Sequence, residues 1–254
     1  MYNAIINLAV EAGRIILESG GETYRVEETI VKICNAFGIK NCDSYVTPTG
    51  IIVSVEDKDG KTASIVKRVL SRTVNLEKIS EVNNLSRTVC KNKMSLDEFK
   101  QKLIHISSMK SYKNIVSNIF AGVASSFFTI IFGGNIKEFF ISFLAGFIMN
   151  YMTSALGKMK LNEFFINIIA SAVSALITLI FLKIGIITRI DKVIIGSIML
   201  LVPGIAITNA VRDTIEGNLI AGISKGVEAV FVAVAIAIGT GSMIKIWFLL
   251  FGKI

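Results

Sequence analysis

Residues 200–213 read LLVPGIAITNAVRD, and this stretch decides how the second half of the chain is organised. It begins as apolar sequence of the kind that crosses a bilayer. Pro203 removes one backbone donor and clashes with the preceding turn, so a helix through it must kink or break there. Lipid cannot hydrogen-bond the freed carbonyls, so such a break must be buried in protein or face water. We therefore predict a broken membrane helix that ends in polar residues.

Five long stretches without a charged residue follow residue 113, and the broken helix is the fourth of them. About 20 apolar residues of helix cover the hydrocarbon core of a bilayer. The spans are predicted at about 114–134, 139–157, 164–183, 193–211 and 222–251. The last span has a glycine pair at 239–241 and is expected to break there.

The first 113 residues carry charges throughout and are predicted to form a soluble α+β domain, with helices flanking a small antiparallel sheet. Apolar residues at helical spacing predict helices over 4–18, 22–37, 76–91 and 96–108. Runs rich in β-branched residues predict strands over 44–47, 50–55 and 62–66, with a hairpin turn at 57–60. Ser95 begins a capping box that opens the last of these helices.

The chain has 254 residues and a net charge of +8, which cytoplasmic, membrane-facing surfaces explain. It has no RNP-like pattern, helix-turn-helix signature or long basic tract, so we expect no nucleic-acid partner. It also has no P-loop, no GxSxG elbow and no CxxC pair. We therefore predict that the protein is not an enzyme and holds no cofactor or metal.

The amino terminus lacks the basic region of a signal peptide, and Glu11 and Arg14 interrupt its apolar run. Lys110 and Lys113 precede the first span, as expected for a cytoplasmic flank. We therefore predict a multi-pass protein of the cell membrane with two domains. These are a cytoplasmic domain over 1–113 and a transmembrane domain over 114–254.

Charged residues crowd the end of the broken span, although a charge inside a bilayer costs about 2.5–3.5 kcal/mol. Spacing allows Arg212 to pair with Glu216 and Lys225 with Glu228, while Asn209, Asp213 and Glu216 share one helix face. Two interpretations stay open. The segment 212–225 is either a solvated loop or a re-entrant segment that lines a cavity, and its apolar centre favours the second.

The second predicted helix also begins with charged residues, namely Glu22, Arg25 and Glu27. One interpretation is helix-end electrostatics with salt bridges on a solvated face. The other is a docking or gating contact with the cytoplasmic ends of the spans.

The chain resembles the threonine/serine exporter family, specifically the large subunit of its split, two-component form. The resemblance extends over nearly the whole chain, and residues 201–213 are its most specific part. Lys225 stands where relatives are expected to carry arginine. The other matching motifs are SGGETYRVE at 19–27, FGG at 132–134, GNL at 217–219 and GISKGVEA at 222–229.

This resemblance implies a secondary exporter that works with a separate small membrane subunit. It implies small carboxylate-bearing substrates, either threonine and serine or a dicarboxylate such as succinate. We expect the helix N-terminus after Pro203 and Gly204 to face the substrate carboxylate, and Arg212 or Lys225 to supply a cation. A proton relay, or a partner for an amino group, is expected at Asp213, Glu216 or Glu228. The predicted substrate site comprises Pro203, Gly204, Asn209, Arg212, Asp213, Glu216, Lys225 and Glu228.

Two alternatives place the function in residues 1–113. The first is a membrane-anchored hydrolase, which the absence of a recognisable nucleophile–base pair weakens. The second is a sensor whose soluble domain binds a cytoplasmic ligand.

Overall fold

The computed structural model describes residues 2–56, 60–92, 94–110, 112–159 and 161–252. Within these ranges the chain forms ten helices and three strands. In chain order they are α1 (Tyr2–Glu18), α2 (Thr23–Ala36), β1 (Asn41–Thr47), β2 (Gly50–Glu56), β3 (Thr62–Arg68), α3 (Leu76–Lys91), α4 (Leu96–Ser108), α5 (Asn114–Ile131), α6 (Ile136–Lys158), α7 (Glu163–Lys183), α8 (Ile190–Ile198), α9 (Gly204–Ile215) and α10 (Leu219–Phe251).

The chain divides into two compact units, and each is built from two separate pieces of sequence. The first unit combines residues 1–111 with 204–227, and the second combines 112–203 with 228–254. Helix α9 and the first turns of α10 therefore belong to the same unit as the amino-terminal residues.

The first unit contains an antiparallel sheet in the order β1-β2-β3 and the predicted helices around it. Alternating side chains of β2 are buried in one core with the apolar faces of the helices, including Ile6, Ile30, Val53 and Phe99. Ser95 caps α4 as predicted, since its hydroxyl accepts a hydrogen bond from the Glu98 N–H at 3.2 Å. Of the predicted turn at 57–60, residues 57–59 lie outside the described residues.

Four helices of the described chain are long and apolar enough to cross a membrane, namely α5, α6, α7 and α10. Within the second unit, buried hydroxyls hold neighbouring helices together. The Ser125 and Ser142 hydroxyls lie 2.6 Å apart, and Thr129 donates to the Ser142 hydroxyl at 2.7 Å. Polar side chains bridge membrane helices in this way because lipid offers them no partner.

The predicted span over 193–211 is not a continuous helix. Helix α8 has nine residues and ends at Ile198, and α9 begins only at Gly204. Each is shorter than the 18 residues or more of the four helices that are long enough to cross a membrane. Pro203 explains the interruption because its ring and missing N–H oppose helix through this point. The prediction of five spans is therefore not confirmed.

The predicted break at 239–241 is wrong, because α10 continues through it as helix. Gly239 serves close packing instead. A Cβ at this position would overlap the Ile168 carbonyl oxygen and the Ser171 hydroxyl on α7. The glycine therefore allows α7 and α10 to approach closely without interrupting the helix.

Candidate functional site

A buried polar cluster lies in the first unit, between the turn that joins α1 to α2 and the hairpin formed by α9 and the start of α10. We define the polar cluster as the carbonyls of Gly20 and Gly21 together with Glu22, Thr23, Asn209, Arg212, Asp213 and Lys225. Its charged and polar side chains come from segments about 190 residues apart in sequence.

The turn between α1 and α2 presents backbone groups because of its two glycines. Gly20 has a φ of +86°, a left-handed conformation that favours glycine. The Gly21 N–H donates to the Ile16 carbonyl at 2.9 Å, which ends α1. The N–H groups of Thr73 and Asn75 hold the turn by donating to the carbonyls of residues 18 and 19. The carbonyls of Gly20 and Gly21 are thus left for other donors.

The hairpin between α9 and α10 brings an acid against a base. Gly217, with a φ of +89°, forms the tight turn. Gly222 allows the two helices to touch, since a Cβ there would overlap the Thr214 hydroxyl and lie 2.9 Å from the Ala210 carbonyl oxygen. This approach places Asp213 on α9 opposite Lys225 on α10.

Asp213 and Lys225 form a buried ion pair at the centre of the cluster. The Lys225 Nζ lies 2.7 Å from Asp213 Oδ2, and the two residues are 4% and 0% exposed. Asp213 Oδ1 accepts a hydrogen bond from the Thr23 backbone N–H at 3.0 Å, at the first residue of α2. The carboxylate therefore occupies the anion-binding end of that helix.

Side chains of both α9 and α10 bind the turn between α1 and α2. Asn209 donates from Nδ2 to the Gly20 carbonyl at 2.8 Å, and Lys225 donates to the Gly21 carbonyl at 3.3 Å. Arg212 lies 2.7 Å from Glu22, whose other carboxylate oxygen accepts from Arg25 at 3.1 Å. Although burial raises the pKa of Glu22, hydrogen bonds and the two guanidinium groups lower it below its ordinary value overall.

Glu27 lies one helical turn further along α2. Its carboxylate accepts from the Val46 N–H at 2.8 Å and is also hydrogen-bonded to the Asn218 side chain. Burial raises the pKa of Glu27 above its ordinary value, with the charge of Asp213 adding to the effect. The raised pKa of Glu27 contrasts with the lowered pKa of Glu22 on the preceding turn.

The structure brings together four of the eight predicted substrate-site residues, namely Asn209, Arg212, Asp213 and Lys225. The predicted pairing of Arg212 with Glu216 is wrong, because Arg212 binds Glu22 and Glu216 is exposed beyond the end of α9. The N-terminus of α9 at Gly204 lies nine residues before Asp213, about 13 Å along the helix, so it does not face the cluster. Pro203 and Glu228 belong to the second unit.

Sequence reasoning missed three contributors to the cluster. These are the two glycine carbonyls and Thr23, whose N–H binds Asp213 and whose buried hydroxyl has no hydrogen-bond partner among the described residues. In the sequence, the one indication of these contributors was the glycine pair, because a glycine turn just before a helix leaves backbone groups without partners in that helix. Among the described residues, no group of three or more His, Cys, Asp or Glu side chains is placed to hold a metal ion.

Comparison with known proteins adds to this geometry. Residues 7–247 match the model of the ThrE family, described as "Putative threonine/serine exporter". The chain belongs to the threonine/serine exporter family. Both segments of the polar cluster, residues 20–23 and 209–225, lie within the region that the family model matches.

Three relatives of this family member share its sequence at low identity. The "Probable succinate transporter subunit YjjP" of Klebsiella aerogenes is 21% identical, covering 96% of this chain and 94% of the relative. The protein of the same name from Escherichia coli K12 is 20% identical, covering 96% of this chain and 95% of the relative. The "Threonine/serine exporter" of Corynebacterium glutamicum is 23% identical, over 95% of this chain and 51% of the relative. No solved structure gives a significant match.

Together, the family and the long apolar helices support a multi-pass membrane exporter. They do not favour a hydrolase or a sensor.

Proposed function

We propose that this chain is the large subunit of a secondary-active exporter of small carboxylate-bearing metabolites. The substrates are either threonine and serine or a dicarboxylate such as succinate. A separate small membrane subunit completes the transporter, with the amino-terminal domain over 1–113 in the cytoplasm. The near full-length similarity to proteins named as transporter subunits supports the two-component form.

The observation that carries this proposal is the placement of the Asp213 carboxylate. It is bound by one backbone N–H at a helix start and by one buried ammonium group. A substrate carboxylate is recognised by the same kinds of donor. Asp213 thus acts as an internal anion that a substrate carboxylate replaces when the pair with Lys225 opens.

This exchange couples substrate to a proton. Protonation of Asp213 removes its negative charge and releases Lys225, which is then an unpaired buried cation. A buried cation without a partner is costly, so a substrate carboxylate is favoured at that moment. Return of the proton to solvent restores the ion pair and expels the substrate. Alternating access follows if the two states open to opposite sides.

Arg212 is the residue that tests this role most cleanly. Its side chain is 55% exposed, and Glu22 keeps its ion pair with Arg25 when Arg212 is removed. We expect Arg212 to supply a second cation to the substrate carboxylate, so Arg212→Ala should abolish export while the protein stays folded. The matched control is Arg87→Ala, which removes an exposed arginine from α3.

The measurement is export of radiolabelled succinate, threonine and serine from vesicles that contain both subunits. Expression and elution of the detergent-solubilised chain report folding. We expect normal export by Arg87→Ala and none by Arg212→Ala at equal protein levels. Unchanged export by a well-expressed Arg212→Ala protein would remove this residue from the mechanism.

A further inference from the structure

The second unit contains an apolar groove with nitrogen-bearing side chains in its lining. The carboxyl-terminal turns of α7 and α10 enclose an apolar groove of about 460 Å³. Aliphatic side chains line most of it, including Leu176 and Ile180 on α7 and Met243 and Leu250 on α10. Among the described residues that line the groove, Lys183 and Trp247 are the two with nitrogen-bearing side chains.

Lys183 has no carboxylate partner in the part of the chain that the structure describes. Its ammonium group rests instead on aromatic rings, 3.5 Å from the ring centre of Phe251 and 5.7 Å from that of Trp247. Cation–π contacts of this kind hold a lysine that lacks an anion. The groove thus carries the positive charge of Lys183, which no other described side chain neutralises.

Trp247 adds a hydrogen-bond donor that lacks an acceptor. Its indole Nε1 is buried without a partner among the described atoms, and the residue is 6% exposed. A buried N–H without an acceptor is uncommon in folded proteins and calls for an explanation. An acceptor from outside the chain provides one.

We propose that this groove binds an anionic phospholipid, with the phosphate on Lys183 and Trp247 and an acyl chain along the apolar wall. Tryptophan and lysine at the ends of membrane helices lie at headgroup depth, where a phosphate is available. The ammonium of Lys183 supplies the charge that a net-negative headgroup needs. A choline headgroup is disfavoured, because its cation would meet Lys183 over the same aromatic faces.

The test uses intrinsic fluorescence, because Trp247 is the only tryptophan in the chain. The full-length protein is reconstituted into phosphatidylcholine vesicles that contain either brominated phosphatidylglycerol or brominated phosphatidylcholine. Bromine quenches tryptophan only at close range. We expect the quenching curves to give about fivefold preference for phosphatidylglycerol, the ratio that one lysine at a membrane surface supplies.

Three variants identify the residue responsible. Lys183→Gln should abolish the preference, and Lys183→Arg should retain it. Lys245→Gln, which removes an exposed lysine two residues from Trp247, should leave it unchanged. Equal quenching by the two brominated lipids in the unaltered protein would overturn the proposal. So would a preference that survives in Lys183→Gln, or an absence of quenching by any lipid, as expected if a protein partner fills the groove.

Discussion

The Asp213–Lys225 ion pair is fully buried, so its two charges depend on each other. Asp213→Asn leaves the Lys225 ammonium without a counter-charge and should lower the free energy of unfolding by about 3–5 kcal/mol. Combining it with Lys225→Met should recover most of that loss, because no buried charge then remains. The measurement is thermal unfolding of the full chain in detergent.

The control for this pair is the exposed ion pair of Glu28 with Lys32, whose side chains are 55% and 49% exposed. Glu28→Gln should cost about 0–1 kcal/mol, since water screens exposed pairs. Similar losses of unfolding free energy for Asp213→Asn and Glu28→Gln would show that burial does not set the cost of breaking the Asp213–Lys225 pair.

Glu27, one helical turn beyond the polar cluster on α2, gives the stability of the first unit a pH dependence that can be measured. Burial raises the pKa of this carboxyl in the folded state, so the folded protein binds the proton more tightly than the unfolded chain. Its stabilising contribution is complete below the unfolded pKa of about 4.3 and is lost as pH rises through the raised pKa. Glu27→Gln keeps a hydrogen-bond acceptor for the Val46 N–H, so the fold should be retained. Because glutamine does not titrate, the free energy of unfolding of this variant should fall less than that of the parent between pH 4 and 7.

The corresponding experiment follows the unfolding midpoint against pH for both proteins, with Glu28→Gln on the neighbouring exposed position as the control. Parallel pH curves for Glu27→Gln and the parent would show that Glu27 does not titrate in this range.

At the scale of elements, two glycines four residues apart on α10 differ in the space that a side chain would have. Gly222 contacts α9 so closely that an added methyl group would overlap Thr214, whereas the nearest atom at Gly226 is the Ala210 Cβ at 4.0 Å. Gly222→Ala should separate the helices and cost about 1–3 kcal/mol. Gly226→Ala should be neutral or stabilising by up to about 1 kcal/mol, because alanine favours helix. Unfolding midpoints of the two variants give the comparison, and equal effects would contradict the close contact.

At the scale of the whole molecule, Cys90 reports on which side of the membrane the amino-terminal residues lie. It is exposed, whereas the other two cysteines, Cys34 and Cys42, are buried. A membrane-impermeant maleimide should therefore label the protein only after cells are permeabilised, if this unit is cytoplasmic. Cys90→Ser should remove the labelling. Labelling of intact cells would reverse the orientation that we propose.

Local patterns predicted much of this molecule. Helical and strand periodicities located the elements of the amino-terminal region, and Pro203 marked the interruption between α8 and α9. The polar cluster was only partly predictable. Helix spacing placed Asn209 and Asp213 on one face, but their partners are backbone groups about 190 residues away. Glycine carbonyls have no signature in a single sequence, and spacing rules consider only neighbours on the same helix, which is why they paired Arg212 with Glu216.

The discontinuous construction of the first unit also has a consequence for biosynthesis. Its first 111 residues leave the ribosome well before residues 204–227, with the first membrane helices made in between. At about 5–20 residues per second, this interval is on the order of ten seconds. Throughout it, the carbonyls of Gly20 and Gly21 and the N–H of Thr23 lack the partners that α9 and α10 supply in the folded protein. The nascent chain therefore completes its amino-terminal unit only after much of its membrane part has been synthesised.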